Sequence, residues 1–460
     1  MSDVRPYTPD SGIDLPKRSP FTSLMSKPAV FGSLIPIVTL LNAVVGMILP
    51  QMMDPHSFGE YSLVVTLFNY GLIFDFGISQ VIDRQIPAHL GLGEDALAQS
   101  LGDKLVWLRL YIGVAMLAIS AGALCILARA NLLPFNLAAG MLAALAGLAD
   151  MVALGPACIY RARSARRDYA IAIAILLSGL IVARLTGLIV AGLIGCFAAL
   201  AIWYVVFAVV FNRRFQPSLH SRPSGRESWS LIRFGVPFFA TSFIWAFYVT
   251  GNRWIASMLI DPTQFGHFAF SANIFSLLVG AIGGFSAFYY PRIAEKIASN
   301  DSFAVSALLR RDLCFLVLGL SAIIGVSIVL AGIMVGFVYP QYTSAVDSAR
   351  VILVAVPAMA LASWLMPVSL SGGGRPLVDG VVIYPIATAI LIVAMNWLYQ
   401  YFGDNGAAAA STVSAVPLIG MQLVWLRYTK IIRTADVGII MACCCVVSLC
   451  LGLLAWGFIR

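Results

Sequence analysis

Long apolar runs separated by short polar breaks fill almost the whole chain. A helix needs about 20 mostly apolar residues to cross the roughly 30 Å hydrocarbon core of a membrane, and it must close its backbone hydrogen bonds internally because lipid offers no partners. Runs of this length predict thirteen membrane-spanning helices, and hence an all-α polytopic membrane protein. They lie near residues 30–53, 58–82, 105–128, 134–159, 169–191, 193–211, 234–260, 265–290, 312–338, 350–370, 378–401, 406–426 and 436–458.

The composition agrees with this pattern. Of the 460 residues, 60% are hydrophobic and only 11% are charged, so a water-soluble domain of this size could not cover its surface with polar groups. Residues 1–27 differ from the rest because they are polar, rich in Pro and Asp, and lack the apolar core of a signal peptide. We predict that they form a disordered cytoplasmic tail.

One short polar turn occurs twice in the chain. MDPHSFGEYS at residues 53–62 and IDPTQFGHFA at residues 260–269 place Asp, Pro, Phe and Gly at the same spacing. A shift of 207 residues aligns the two turns and gives eight identities over the 34 positions that begin at Asp54 and Asp261. Asp before Pro is a good N-cap followed by a good first helical residue, so each turn is predicted to begin a helix at the outer membrane face.

A second pair of matching features lies near the end of each half. Gly192 and Gly195 open one Ala-rich span, and Gly403 and Gly406 open another. Six spans followed by six similar spans predict two homologous six-helix bundles, arranged as parallel repeats around a central cavity. The predicted parts are an N-terminal bundle at 28–212, a cytoplasmic linker at 213–230, a C-terminal bundle at 231–433 and an additional transmembrane helix at 434–460.

The basic residues predict the orientation in the membrane. Of the 29 Lys and Arg, 24 fall in segments that lie inside if the N-terminus is cytoplasmic, and only Arg129, Arg350 and Arg460 fall in outer segments. This split follows the positive-inside rule and explains the net charge of +8 without any nucleic-acid partner. We therefore predict a multi-pass protein of the cell membrane with a cytoplasmic N-terminus.

The segment FGEYSLVVTLFNYGLIFDFGISQVIDRQIP, residues 58–87, resembles the second helix of bacterial polysaccharide flippases. These belong to the multidrug/oligosaccharidyl-lipid/polysaccharide exporter superfamily. The resemblance implies a V-shaped cavity between two six-helix bundles, in the inner membrane of a bacterium. It also implies alternating-access transport of an undecaprenyl-pyrophosphate-linked oligosaccharide for O-antigen or exopolysaccharide assembly. The implied partners are this lipid-linked oligosaccharide and membrane lipids, and a polymerase or co-polymerase partner is left open. The additional helix after Arg433 departs from a twelve-helix pattern.

Two other functions are weighed against this one. The first is a multidrug and toxin extruder of the same superfamily, which would share the fold and transport small cations. The second is a membrane polymerase or ligase of polysaccharide assembly, which the short predicted outer loops of at most about eight residues disfavour. The chain has no Gly-Lys pair and hence no Walker A loop, and its eight cysteines lie in apolar spans without a histidine at ligand spacing. We therefore expect a transporter without enzymatic activity, metal or cofactor.

Two arginines inside spans are the main candidates for substrate binding. Arg184 and Arg253 are each predicted in the outer half of the membrane, one in each bundle. A charge inside the bilayer costs on the order of 3 kcal/mol or more, so each is a functional candidate. Guanidinium groups stay charged and bind phosphate oxygens through two parallel hydrogen bonds. We hypothesise that both face the cavity and bind the pyrophosphate or acidic sugars; the alternative is that each reaches the interface or a backbone carbonyl.

Other polar residues inside the spans are weaker candidates. Asp75 and Asp150 are candidates for ion coupling because a buried carboxylate can carry a proton, although Asp75 is at least as well explained by a structural role at the end of a helix. Amide side chains are candidates to face the sugars, or else to bond neighbouring helices. These amides are Asn42, Asn69, Asn252 and Asn273.

Overall fold

A computed structural model describes residues 41–163, 166–215, 222–298, 302–371, 378–429 and 431–459. The predicted tail at 1–27 lies outside these residues. The described residues form helices joined by short turns, and no β-strand occurs among them. Seven of the described helices are long and apolar enough to cross a membrane, and a bent pair makes up to eight. The predicted all-α polytopic fold is therefore confirmed.

The helices are numbered here in chain order. They are α1 (Leu41–Met52), α2 (Pro55–Ile73), α3 (Ile78–Gly91), α4 (Asp95–Arg129), α5 (Leu137–Ala162), α6 (Arg166–Phe215), α7 (Gly225–Leu259), α8 (Pro262–Ala298), α9 (Ser302–Val338), α10 (Val346–Leu353), α11 (Val356–Ser371), α12 (Tyr384–Tyr428) and α13 (Thr434–Ile459). A 3-10 turn (Pro340–Ala345) precedes α10, and a π-helical turn (Asp379–Ile383) precedes α12.

Helices α6 and α12 are each broken once, at the glycines that the sequence singled out. The backbone leaves helical geometry at Gly192 with φ 58° and ψ −141°, and at Gly403 with φ 57° and ψ −139°. This region of backbone space is accessible almost only to glycine. The two bundles therefore bend the chain in the same way at equivalent points, 211 residues apart.

The arms on either side of each break pack against one another. In α6, a Cβ on Gly195 would lie 2.3 Å from the carbonyl oxygen of Gly187, and Trp203 Nε1 donates a hydrogen bond of 3.1 Å to the carbonyl of Leu176. In α12, a Cβ on Gly406 would lie 2.1 Å from the carbonyl oxygen of Leu398. Each broken helix is therefore an antiparallel hairpin of two spans, as the separate runs 169–191 and 193–211 predict for α6.

The predicted continuous span at 58–82 is wrong, because the chain forms two helices there. Helix α2 ends at Ile73 and α3 begins at Ile78. Between them Phe76 and Gly77 adopt left-handed backbone angles, with φ of 50° and 77°. The Asp-Phe-Gly sequence is therefore a sharp turn, and α3 leaves it in a new direction.

Helix α7 begins inside the predicted linker at 213–230. Ser224 is its N-cap and forms a reciprocal capping box with Glu227, so the helix starts at Gly225 and α6 ends at Phe215. The predicted start of this span near 234 marks the first strongly apolar residues and not the helix terminus. The span predicted at 350–370 is also irregular, because Pro340–Leu353 and Val356–Met366 meet at a bend of 48°.

The two halves of the chain touch at glycines related by the repeat. Gly59 in α2 meets Gly266 in α8, and a Cβ on Gly266 would lie only 1.8 Å from the carbonyl oxygen of Pro55. A second close contact joins Gly77, in the turn after α2, to Gly235 of α7. Residues without side chains allow these backbones to approach closely. Helix α2 thus contacts α8 at its beginning and α7 beyond its end.

Candidate functional site between and within the bundles

Arg253 lies at the boundary between the two halves of the chain. It belongs to α7 and its side chain reaches both α2 and α8, with only 3% of the residue exposed. Nη1 donates a hydrogen bond of 3.2 Å to the hydroxyl of Thr66. Nη2 donates to the carbonyl of Ala272 at 3.1 Å and to the hydroxyl of Ser276 at 2.9 Å. All three acceptors are neutral.

The charge on Arg253 has no opposite charge beside it in the described part of the chain. None of the ion pairs among the described residues includes it, and its Nε atom has no hydrogen-bond partner. Burying an ionised group without a counter-charge is costly even when some hydrogen bonds remain. The environment of Arg253 is therefore chemically incomplete, and an anion would complete it.

The contact between Arg253 and Thr66 has a counterpart on the other side of the repeat. Asn273 Nδ2 donates a hydrogen bond of 3.2 Å to the carbonyl of Gly46. Positions 46 and 253 are 207 residues apart, and so are positions 66 and 273. The contact of Asn273 with Gly46 and that of Arg253 with Thr66 therefore join equivalent positions of the two halves. Only the contact of Arg253 carries a charge.

Arg184 lies among side chains of its own bundle. It is 9% exposed, its Nε has no hydrogen-bond partner in the described part of the chain, and it interacts electrostatically with Tyr61, Tyr204 and Asp150. These belong to α2, α6 and α5. No contact joins Arg184 to the acceptors of Arg253, although Tyr61 lies within electrostatic range of both arginines. Its predicted position facing the cavity stays a prediction.

Asp150 is buried beside Arg184. It is 6% exposed, interacts with the hydroxyl of Tyr204, and has one carboxyl oxygen that no described residue contacts by a hydrogen bond. It also lies within electrostatic range of Arg109 on α4. A carboxyl group with a vacant oxygen between two guanidiniums can accept a proton or a hydrogen bond. Its geometry is compatible with the predicted coupling role.

Asp75 serves the turn between α2 and α3. One carboxylate oxygen accepts a hydrogen bond of 2.8 Å from the backbone N–H of Gly77, and the other accepts one of 2.9 Å from that of Ser79. Nη2 of Arg109 donates to the second oxygen at 3.1 Å and also to the Ser79 hydroxyl. Both oxygens are thus occupied, which favours the structural explanation over ion coupling.

The role of Arg109 was missed in the sequence, where it was counted only as one of the 24 basic residues of inner segments. It is only 2% exposed and lies within α4, where its Nη1 also donates a hydrogen bond of 3.2 Å to the carbonyl of Met151. The available signal was its position inside the predicted span at 105–128. The partners of Arg253 on α2 and α8 were also missed, since Thr66 and Ser276 are short polar residues that occur in many membrane helices.

The candidate amides occupy three different environments. Asn69 is exposed, and Asn42 is partly buried. Asn252 is 2% exposed, and Asn273 is partly buried with its bond to Gly46. The side-chain oxygens of Asn42 and Asn252 are buried and have no hydrogen-bond partner among the described residues. A sugar hydroxyl donates the kind of hydrogen bond that these two oxygens lack.

Two buried polar contacts within the C-terminal bundle join neutral groups. The hydroxyls of Tyr248 and Ser414 lie 3.0 Å apart. Gln422 Nε2 donates hydrogen bonds to the hydroxyl of Tyr384 at 3.3 Å and to the carbonyl of Ala362 at 3.4 Å. Among the described residues no group of His, Cys, Asp or Glu is arranged to hold a metal ion.

A multi-pass helical membrane protein with a buried cation between two related bundles belongs, by architecture, with membrane transporters. A sequence model of the family described as polysaccharide biosynthesis protein matches residues 29–296. The chain belongs to that family. A search of curated proteins gave no match.

Solved structures share the fold. An outward-facing multidrug resistance MATE family transporter of the MOP superfamily aligns with a TM-score of 0.64 at 13% identity, over 90% of this chain and 98% of that one. A mutant of the Vibrio cholerae MATE transporter VcmN aligns with a TM-score of 0.61 at 14% identity, over 89% and 95%. The lipid II flippase MurJ, in an inward closed conformation, aligns with a TM-score of 0.55 at 12% identity, over 94% and 100%. At these identities the similarity establishes the fold.

Proposed function

We propose that this protein translocates an undecaprenyl-pyrophosphate-linked oligosaccharide across the bacterial inner membrane, for O-antigen or exopolysaccharide assembly. Transport would proceed by alternating access, in which the two bundles expose the space between them first to one side and then to the other. The observation that carries the proposal is Arg253, a buried guanidinium at the boundary of the bundles without a carboxylate beside it in the described residues. Membership of the polysaccharide biosynthesis family supports the choice of substrate class.

The chemistry of Arg253 suits a pyrophosphate headgroup. A guanidinium forms two parallel hydrogen bonds to phosphate oxygens, and such charge-assisted bonds are about twice as strong as neutral ones. Thr66, Ala272 and Ser276 now accept its hydrogen bonds as neutral groups. Phosphate oxygens would replace them at an energetic advantage. Because Thr66 and Ser276 lie on different halves, binding of the headgroup would compete with a contact that joins the bundles.

The remaining candidates take supporting roles in this proposal. Arg184 would supply a second positive charge, because Tyr61 lies within electrostatic range of both arginines. The amide oxygens of Asn42 and Asn252, which have no hydrogen-bond partner among the described residues, would accept hydrogen bonds from sugar hydroxyls. Asn69 and Asn273 would contribute further polar contacts. Asp150 is the preferred site for ion coupling, and Asp75 the weaker candidate because its oxygens are occupied.

Extrusion of cationic drugs is the alternative that the shared fold leaves open. A buried guanidinium between the bundles disfavours it, because like charges repel strongly in a medium of low dielectric constant. The two functions differ in what a deletion does. Loss of a flippase leaves the lipid-linked repeat unit on the cytoplasmic leaflet and removes surface polymer, whereas loss of an extruder leaves the glycan unchanged and raises drug sensitivity.

The decisive experiment replaces Arg253. Arg253→Gln is expected to lower translocation of lipid-linked oligosaccharide at least about tenfold, since one charge-assisted interaction contributes about 1.5–3 kcal/mol. Arg253→Lys should retain part of the activity because it keeps the charge but loses the paired geometry. The measurement is the amount of repeat unit accessible at each leaflet, at matched expression and thermal stability.

Arg129→Gln, at the exposed end of α4, is the matched control because it removes the same charge away from the boundary. Full translocation by Arg253→Gln would contradict the proposal.

A further inference from the structure

A polar pocket lies where helices α9, α12 and α13 meet, far along the chain from the residues used above. Its volume is about 500 Å³. Arg310 of α9, Arg427 of α12, and Arg433, Thr434 and Asp436 at the start of α13 line it. The positive-inside distribution predicts that this corner faces the cytoplasm.

The pocket carries more positive than negative charge. Arg310 Nη1 lies 3.0 Å from a carboxylate oxygen of Asp436. Asp436 is only 4% exposed, so the acidic partner of this ion pair is buried. Arg427 Nε donates a hydrogen bond of 2.6 Å to the hydroxyl of Thr434. Among the described lining residues, three guanidiniums face one carboxylate. The first turn of α13 adds the partial positive charge of a helix N-terminus.

The helices that line the pocket also carry exposed apolar side chains. Phe315 on α9 is 71% exposed, Leu318 is 54% exposed, and Ile439 on α13 is 47% exposed. Phe315 follows Arg310 by five residues, a rise of about 7.5 Å along the helix. Trp425 and Tyr428 of α12 stack with ring centroids 5.6 Å apart, an arrangement suited to the membrane interface. The helices that form the cationic pocket therefore also carry exposed apolar side chains suited to lipid.

We propose that this corner binds the headgroup of an anionic phospholipid from the cytoplasmic leaflet. Its phosphodiester lies in the pocket between Arg310, Arg427 and Arg433, and its acyl chains follow the exposed side chains of α9 and α13. Basic pockets between membrane helices on the cytoplasmic side are suited to such headgroups. The lipid joins α13 to the C-terminal bundle, because Arg310 and Arg427 lie on α9 and α12 and Arg433 lies in the turn that leads into α13. The inference is independent of the proposed transport function.

The test uses the full-length protein purified in detergent, with dioleoylphosphatidylglycerol as the anionic probe and dioleoylphosphatidylcholine as the zwitterionic one. Native mass spectrometry measures how much of each lipid stays bound. The double variant Arg427→Gln with Arg433→Gln keeps the ion pair between Arg310 and Asp436, and its thermal unfolding midpoint is measured beside that of the unchanged protein. It should bind phosphatidylglycerol about tenfold more weakly or worse, since each basic group near the headgroups contributes about 1 kcal/mol.

The matched control is Arg226→Gln with Arg233→Gln, which removes the same charge from exposed positions of α7. It should retain the binding of the unchanged protein. Equal retention of phosphatidylglycerol by both double variants would overturn the proposal, and so would equal binding of the two lipids by the unchanged protein. Displacement of phosphatidylglycerol by millimolar inorganic phosphate would also overturn it, because the site would then take free phosphate.

Discussion

The two bundles share a backbone plan and differ in what they bury. Gly192 and Gly403 adopt the same dihedral angles within about 2°, and each precedes a helix that packs closely on the one before it. The interior of the N-terminal bundle nevertheless holds Arg109, Arg184 and Asp150. In the C-terminal bundle the buried Arg253 lies at the boundary between the halves, and the described contacts of Tyr248 and Gln422 deeper inside join neutral groups.

Equivalent positions make this difference concrete. With the hairpin offset of 211 residues, Arg184 corresponds to Met395 and Tyr204 corresponds to Ala415, and both counterparts are fully buried. The fold accepts apolar side chains at these positions in one bundle. The buried charge of Arg184 is therefore not required by the architecture that the two bundles share.

The largest expected effect comes from breaking the buried ion pair of the N-terminal bundle. Arg109→Met should lower the free energy of unfolding by about 3–5 kcal/mol, because it leaves the buried carboxylate of Asp75 without its counter-charge. The neutral counterpart Tyr248→Phe, which removes the contact with Ser414, should cost about 1 kcal/mol. Denaturant unfolding in detergent measures both. Equal losses would show that the charged interior is no more demanding than the neutral one.

The hairpin glycines should show equal effects in the two bundles. Gly192→Ala and Gly403→Ala should each cost about 1–3 kcal/mol, since an added Cβ meets nothing within 4 Å at either site and the whole cost is conformational. Gly122→Ala, in a regular and open part of α4, is the control and should be neutral or slightly stabilising. Thermal unfolding midpoints of the three variants provide the comparison. A clear difference between the two hairpin variants would mean that the bundles use their glycines differently.

The smallest expected effect concerns the helix cap at Asp54. Its carboxylate accepts hydrogen bonds from the hydroxyl and the backbone N–H of Ser57, and these bonds lower the pKa of Asp54. A carboxyl group whose pKa is lowered on folding stabilises the protein above its ordinary pKa of about 4, and this stability is lost as the pH falls further. Asp54→Ala should therefore cost about 0.5–2 kcal/mol at neutral pH and less below pH 4.

Stability measured against pH for the unchanged protein and the Asp54 variant tests this expectation. The difference between them should shrink on acidification. Asp261→Ala at the related turn of the C-terminal bundle is the natural comparison, because its carboxylate accepts a hydrogen bond of 3.2 Å from the backbone N–H of Thr263. A constant difference across the pH range would exclude the capping carboxylate as the cause.

Sequence alone predicted the features that depend on local chemistry. The positions of Gly192 and Gly403 followed from two matching Gly-x-x-Gly pairs, and the caps at Asp54 and Asp261 followed from Asp before Pro. A structural role for Asp75 at the end of a helix was one of the two interpretations, but the span 58–82 was predicted without a break, because a Phe in the left-handed region is rare and hydropathy continues through the turn.

The contacts of the candidate site could not be predicted because they join distant parts of the chain. Counting residues back from Asp261 placed Arg253 in the outer half of the membrane, but its partner Thr66 is 187 residues away. Arg184 looked equivalent to Arg253 in the sequence, since both are single charges at similar depth. Only the packing of α2, α5 and α6 around Arg184 distinguishes the two environments.

The repeat-related positions 46 and 253 hold Gly and Arg, and this difference bears on the net charge that the proposed transport moves across the membrane. Position 253 holds one fixed positive charge where the repeat places glycine at position 46, and that charge remains with the protein when the cargo leaves. A diphosphate diester carries more than one negative charge, so its outward passage would move net charge across the bilayer. A voltage that is negative inside would then favour export by about 2.3 kcal/mol per elementary charge for each 100 mV.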